Sequence, residues 1–152
     1  MTGPVFVDTN ILVYRHDTSE TSKQTQADAW HSFLWRRRLG RLSFQVLQEL
    51  YATLRQGRGP AFGPAVARDI VTNYLQWQPI RIDASVLRRA WVIEERFRLS
   101  WWDALIVAAA QAAECPVLLT EDLQHGQDFN GVRVVNPFAV PQLTPLEVLE
   151  KP

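Results

Sequence analysis

Four acidic side chains fall where an α/β protein does chemistry. Asp8 closes the apolar run Val5-Phe6-Val7, and Asp122 follows Val117-Leu118-Leu119 after Thr120 and Glu121. Asp103 lies in the first turn of a helical stretch just before that second run, and Glu49 lies in a helical stretch soon after Leu42-Ser43-Phe44. In an open α/β sheet, functional groups collect at the carboxyl ends of the strands. The four acids reach one crevice if the strands before Asp8 and Asp122 are neighbours. Carboxylates packed together repel, and burial raises their pKa values further. Divalent cations offset that cost, and hard oxygen donors suit Mg2+ or Mn2+. One cysteine, Cys115, and three scattered histidines give no zinc pattern. Each acid also has an ordinary structural role open to it. Asp8 can cap a helix, Glu49 can face solvent, Asp103 can complete a cap with Ser100, and Asp122 can sit in a turn before Gly126.

Positioning these acids falls to alternating strands and helices. Apolar runs predict strands over 5–7, 42–44, 80–82, 117–119 and 132–135. Thr18 to Ser22 is polar and loop-like. Helical spacing begins near Asn10, at Gln26 (ended by Gly40), at Val46 (broken after Gln56), at Pro64, after Asp83 and after Ser100. Thr144-Pro145-Leu146-Glu147 has the capping-box pattern of a short terminal helix. Buried strands separated by helices imply α/β architecture: a central, mostly parallel sheet of about five short strands with helices on both faces.

Composition narrows the class. The chain has 152 residues, enough for one domain with its own core. Hydrophobic residues make up 47% and charged residues 21%, which argues against disorder. No apolar run approaches the ~18 residues of a membrane span. With no basic leader and one cysteine, the expectation is a cytoplasmic protein. Net charge is zero, so an overall positive field does not draw in nucleic acid, though a segregated basic patch remains open. Lys23 and Lys151 are the only lysines, and the other basic residues are arginines, which pair bidentately with phosphate. Coding bias alone also produces that preference.

Three segments together resemble the PIN domain: Val5-Phe6-Val7-Asp8-Thr9-Asn10-Ile11-Leu12-Val13-Tyr14, Ser100-Trp101-Trp102-Asp103-Ala104-Leu105-Ile106-Val107, and Val117-Leu118-Leu119-Thr120-Glu121-Asp122. More narrowly, the chain resembles the VapC-type toxins of type II toxin–antitoxin systems. The resemblance implies a PIN-like nuclease domain over 1–138 and a C-terminal tail over 139–152. It implies a Mg2+- or Mn2+-dependent RNA endonuclease whose catalytic and metal-binding acids are Asp8, Glu49, Asp103 and Asp122. Glu49 rests on Val46-Leu47-Gln48-Glu49-Leu50-Tyr51, and Glu121 or Asp128 can share or replace the role of Asp122. Thr9, Asn10 and Thr120 would hydrogen-bond the ligands. In such a site one metal can lower the pKa of a bound water and a second, ~3.5–4 Å away, can stabilise the leaving oxygen, the number of metals staying open.

Acids alone repel RNA, so arginines at the rim must attract it. Candidates are Arg15, Arg36, Arg37, Arg38 and Arg55, with Arg58 beside the last. Of Trp101 and Trp102, one is expected in the core and the other free to stack a base or fill an interface. His125 is expected to be a loop residue. The resemblance also implies a cognate antitoxin whose tail covers the acidic crevice, and a homodimer. The alternatives are a housekeeping RNA-processing nuclease of the same fold and a non-catalytic RNA-binding module. An aspartyl-nucleophile phosphatase or receiver domain is disfavoured, because position 10 is Asn10 and no lysine lies between Lys23 and Lys151.

Overall fold

The computed structural model describes residues 3–57 and 61–151. Arg58, one of the candidate arginines, lies outside the described residues. In chain order the elements are β1 (Val5–Val7), α1 (Thr9–His16), α2 (Thr21–Arg37), β2 (Gly40–Arg41), α3 (Phe44–Gln56) and α4 (Pro64–Asn73). A 3-10 turn (Tyr74–Trp77), α5 (Ala84–Phe97), α6 (Trp101–Ala112), β3 (Val117–Leu119), β4 (Asp128–Phe129), β5 (Val132–Val135) and α7 (Pro145–Glu150) follow.

The strands form one sheet in the order β2-β1-β3-β5-β4. All neighbours are parallel except β4 with β5. The mostly parallel α/β sheet with helices on its faces is the architecture the sequence implies. The central strands β1 and β3 are buried along their length, as a doubly covered sheet requires. Phe6, Leu118, Leu119 and Phe129 are fully buried, and α2 adds Trp30 and Leu34. Truncating such a side chain, as in Phe6→Ala, costs about 3–5 kcal/mol.

Caps set the helix starts. Ser43, Asp83 and Ser100 each accept a hydrogen bond from the backbone N–H three residues on. Thr144 and Glu147 form the complete reciprocal box at α7. That helix lies against the body, with Val148 and Leu149 buried, and Gln26 donates to the Pro141 carbonyl at 2.8 Å.

The five strands are not quite the five expected. The run 42–44 is not a strand. β2 lies two residues earlier, Leu42 is buried, Ser43 caps α3 and Phe44 begins it. The run 80–82 makes only a single bridge, Ile80 to Ser43, because Pro79 and the Asp83 cap leave too little chain for a strand. Instead β4 pairs with β5 across Asn130-Gly131, both at positive φ. Asn-Gly is the strongest short-range hairpin signal a sequence offers. Gly40 does not end α2, since Arg38 takes the left-handed position. Gly40 sits in β2 against Trp77, where a Cβ would lie 2.6 Å from the indole ring. α2 also begins earlier than expected, at Thr21, because its first turns face solvent and carry no apolar rhythm.

Candidate active site

The register of the sheet builds the centre of the site. Val7 lies opposite Leu119 in the parallel β1–β3 pair, so the next residues, Asp8 and Thr120, face each other at the carboxyl edge. The Asp8 N–H donates to the Leu119 carbonyl at 3.0 Å. The Thr120 hydroxyl donates to Asp8 Oδ2 at 2.8 Å, and the Thr9 N–H donates to Asp8 Oδ1 at 2.7 Å. The Thr120 oxygen in turn accepts from Asn10 Nδ2 at 3.4 Å and from the Asp122 N–H at 3.1 Å. One fully buried threonine therefore ties Asp8, Asn10 and the start of the Asp122 loop together.

α3 brings in Glu49 on an exposed position. Its Oε2 accepts from the Thr9 hydroxyl at 3.2 Å and its Oε1 from Gln45 Nε2 at 2.7 Å. Gln45, one helical turn before Glu49, was not among the expected site residues. Its i, i+4 spacing on α3 is the signal that finds it. α6 brings in Asp103, half-buried in its first turn, with its N–H on the Ser100 hydroxyl at 3.2 Å.

The acids feel one another. Burial pushes the Asp8 carboxyl up to about 7; the Thr120 and Thr9 hydrogen bonds oppose this, and the carboxylates of Asp122 and Glu49 add to it. Burial also raises Asp103, the Ser100 contact opposes the rise and Asp122 adds to it. Asp122 thus acts on both Asp8 and Asp103. Glu49 acts on Asp8 alone among these.

The four acids are not drawn into a closed cage. Among the described residues, no three His, Cys, Asp or Glu side chains stand close enough to hold a metal ion. The donor set nevertheless fits a hard divalent cation. It is all oxygen, its buried member is held against ionisation by burial and, less strongly, by neighbouring negative charge, and the buried Oδ1 of Asn10 has no hydrogen-bond partner. A cation at this edge would relieve both.

Other candidates lie elsewhere or are already engaged. Glu121 accepts from the Tyr14 hydroxyl at 2.6 Å and pairs with Lys23 at 2.9 Å. The Lys23 ammonium also stands over the Tyr14 and Phe138 rings. This link between α1, α2 and the Asp122 loop carries no local sequence signal beyond the rarity of lysine. Asp128 pairs with Arg133, which pairs with Val117, so Asp128 lies level with the amino ends of the strands, away from Asp8. Arg36 to Arg38 also lie toward the amino edge, since Leu39, just after them, accepts from the Val5 N–H. Their helix begins beside Glu121 through Lys23, about 20 Å away along its axis. Arg15 faces Asp28 at 3.4 Å, and Arg55 donates to the Phe62 carbonyl at 3.1 Å. Trp101 is partly buried against the core, whereas Trp102 is exposed. His125 is a loop residue that accepts from the Asn136 N–H at 3.0 Å.

Comparison with known proteins gives a consistent picture. A family model described as the PIN domain matches residues 5–127. No curated protein matches the sequence. Solved structures share the fold. A toxin–antitoxin complex from Klebsiella pneumoniae aligns with a TM-score of 0.62 at 19% identity, covering 88% of this chain and 97% of the other. DNA-bound VapBC from Salmonella typhimurium gives 0.61 at 14% identity, covering 88% and 97%. VapBC2 from Rickettsia felis, bound to a promoter fragment, gives 0.59 at 14% identity, covering 86% and 96%. Among the described residues, no helix is long and apolar enough to cross a membrane.

Proposed function

This chain belongs to the PIN-domain family, and from that premise we propose that it is a Mg2+- or Mn2+-dependent RNA endonuclease, acting in the cytoplasm as the VapC-type toxin of a toxin–antitoxin pair. The observation that carries the reading is the buried Asp8 carboxylate, hydrogen-bonded by Thr120 and lying in the field of Asp122 and Glu49. Asp8 also caps α1, but a cap does not require the nearby carboxylates of Asp122 and Glu49 that add to its cost. Asp8 is costly to the folded chain unless a cation neutralises it. The toxin role draws support from the fold neighbours, which are themselves toxin–antitoxin complexes.

Asp8 and Asp103 are the direct ligands in this reading, with Asp122 and Glu49 completing the set. Divalent metal, when bound, supplies charge neutralisation and a water more acidic than bulk. The rest is the work of this chain. Thr120 and the Thr9 N–H fix the Asp8 carboxylate in one rotamer. Thr9 and Gln45 hold Glu49 from both oxygens. The Lys23–Glu121–Tyr14 link steadies the loop that carries Asp122. Preorganised ligands of this kind lose little freedom when the cation arrives.

The partners proposed with this reading are an RNA substrate, a cognate antitoxin and a second copy of the chain. The nuclease domain is taken as 1–138, with 139–152 as its tail. Purified protein incubated with total RNA and Mg2+ should cut it, and EDTA should stop the reaction. Expression alone should arrest growth. Cleavage without growth arrest, with soluble protein present, would favour an RNA-processing role.

A further inference from the structure

A cavity of about 500 Å3 opens between α1, α2 and α4, and none of the four acids lines it. One wall is aromatic. His31 and Trp35 stack with centroids 5.5 Å apart and planes 16° from parallel. The buried Tyr74 ring meets His31 edge-on at 5.6 Å. Arg36 and Arg15, the latter paired with Asp28, also line the cavity. One buried nitrogen in its lining, His16 Nε2, has no hydrogen-bond partner, whereas Arg15 Nε is ion-paired with Asp28 Oδ1 at 3.4 Å. An unmade buried hydrogen bond costs about 1–3 kcal/mol, so a ligand that makes it recovers that cost. Burial first, and then the Arg15 charge, holds His16 down at about 4 and His31 at about 3. Both rings are therefore neutral near pH 7, and a neutral imidazole has one donor and one acceptor nitrogen.

We infer that this cavity is a nucleotide subsite, with a base against Trp35 and a phosphate at Arg36, beside the Arg15–Asp28 pair. Its volume lies in the range of small-ligand sites. Aromatic faces stack bases of any sequence, and guanidinium groups grip phosphate. The polar edge of a base supplies a partner for His16 Nε2. A simple anion leaves the aromatic wall unused, and an aliphatic ligand brings no anion to Arg36, whose Nε donates only to the Ser32 carbonyl at 3.3 Å. The strand-binding role of this subsite rests on the endonuclease reading, whereas nucleotide binding itself does not. α1 joins the two places: its eight residues span about 12 Å from the Asp8 end to His16, so one RNA strand can pass both.

The test is a binding titration of the full chain carrying Asp8→Asn, in EDTA and low salt, so that nothing is cut. The probes are a fluorescein-labelled five-nucleotide RNA, adenosine monophosphate and ribose 5-phosphate. The nucleotide should bind and displace the RNA, and ribose 5-phosphate should bind at least about tenfold more weakly for want of stacking. Arg36→Gln, at an exposed position, should weaken nucleotide and RNA about tenfold, with an unchanged circular dichroism spectrum. Trp35→Leu should abolish the advantage of the nucleotide over ribose 5-phosphate. RNA tighter than the mononucleotide assigns the site to a strand, and the reverse assigns it to a free nucleotide. No binding of adenosine monophosphate, or equal affinity in Arg36→Gln, overturns the assignment. So does capture of an acidic aromatic peptide in place of the nucleotide. Failure of the unaltered protein to cut RNA, with nucleotide binding retained, sinks the endonuclease reading and leaves the subsite standing.

Discussion

The Thr120 hydroxyl reaches the Asp8 carboxylate at 2.8 Å across 112 residues of chain. Parallel pairing of β1 with β3 sets this distance, since each residue directly follows its strand. Thr120→Val deletes the hydrogen bond that opposes the rise of the Asp8 carboxyl. A loss of about 1 kcal/mol in stability is expected from denaturant unfolding. The Mg2+ concentration for half-maximal RNA cleavage should rise, and Thr120→Ser should restore it.

Asp8 itself is expected to oppose stability. Its folded carboxyl titrates near 7, against 3.8 for an unperturbed aspartate. The unfolded chain therefore gives up this proton first. The penalty is absent below about pH 4, grows as pH rises, and is complete above about 7, reaching at most about 4 kcal/mol. Asp8→Asn should thus melt at higher temperature than the unaltered protein at pH 8 in EDTA, and at nearly the same temperature at pH 4. Added Mg2+ should close that gap by stabilising only the unaltered protein.

His16 and His31 act in the opposite direction. Both are held below their usual 6.5 by burial, so the unfolded chain binds their protons first as pH falls. Stability is full above about 6.5 and declines toward about 4 for His16 and about 3 for His31. His31→Gln should flatten this acid-side decline in thermal melts between those limits. An unchanged slope would show that His31 takes up its proton at the same pH in the folded and the unfolded chain.

The centre of the site was legible because Asp8, Asp103 and Asp122 each lie at a strand end or helix start, where the fold rather than the side chain fixes position. Asp128 and Arg36 to Arg38 were not separable from site residues by type. Only the register of β4 on β5, and the length of α2, place them toward the opposite edge. The 42–44 and 80–82 runs have strand composition, but the Ser43 and Asp83 caps claim their residues for helices. The Lys23–Glu121 link and the cavity wall depend on contacts between distant segments, which periodicity does not encode.

Gly40 tests the packing beside the sheet edge. A Cβ there would stand 2.6 Å from the Trp77 ring, inside the limit of real contacts, and Trp77 is itself buried. Gly40→Ala should cost about 1–3 kcal/mol in denaturant unfolding, by overpacking. Gly63→Ala, with open space around its Cβ, serves as the control.

RNA cleavage by purified protein, with Mg2+ and with EDTA, bears most directly on the acidic edge. Mg2+-dependent cuts should vanish in Asp8→Asn and in Asp103→Asn while both variants keep the circular dichroism of the folded chain. Cutting that persists in EDTA, or in either variant, would contradict the role given to these carboxylates.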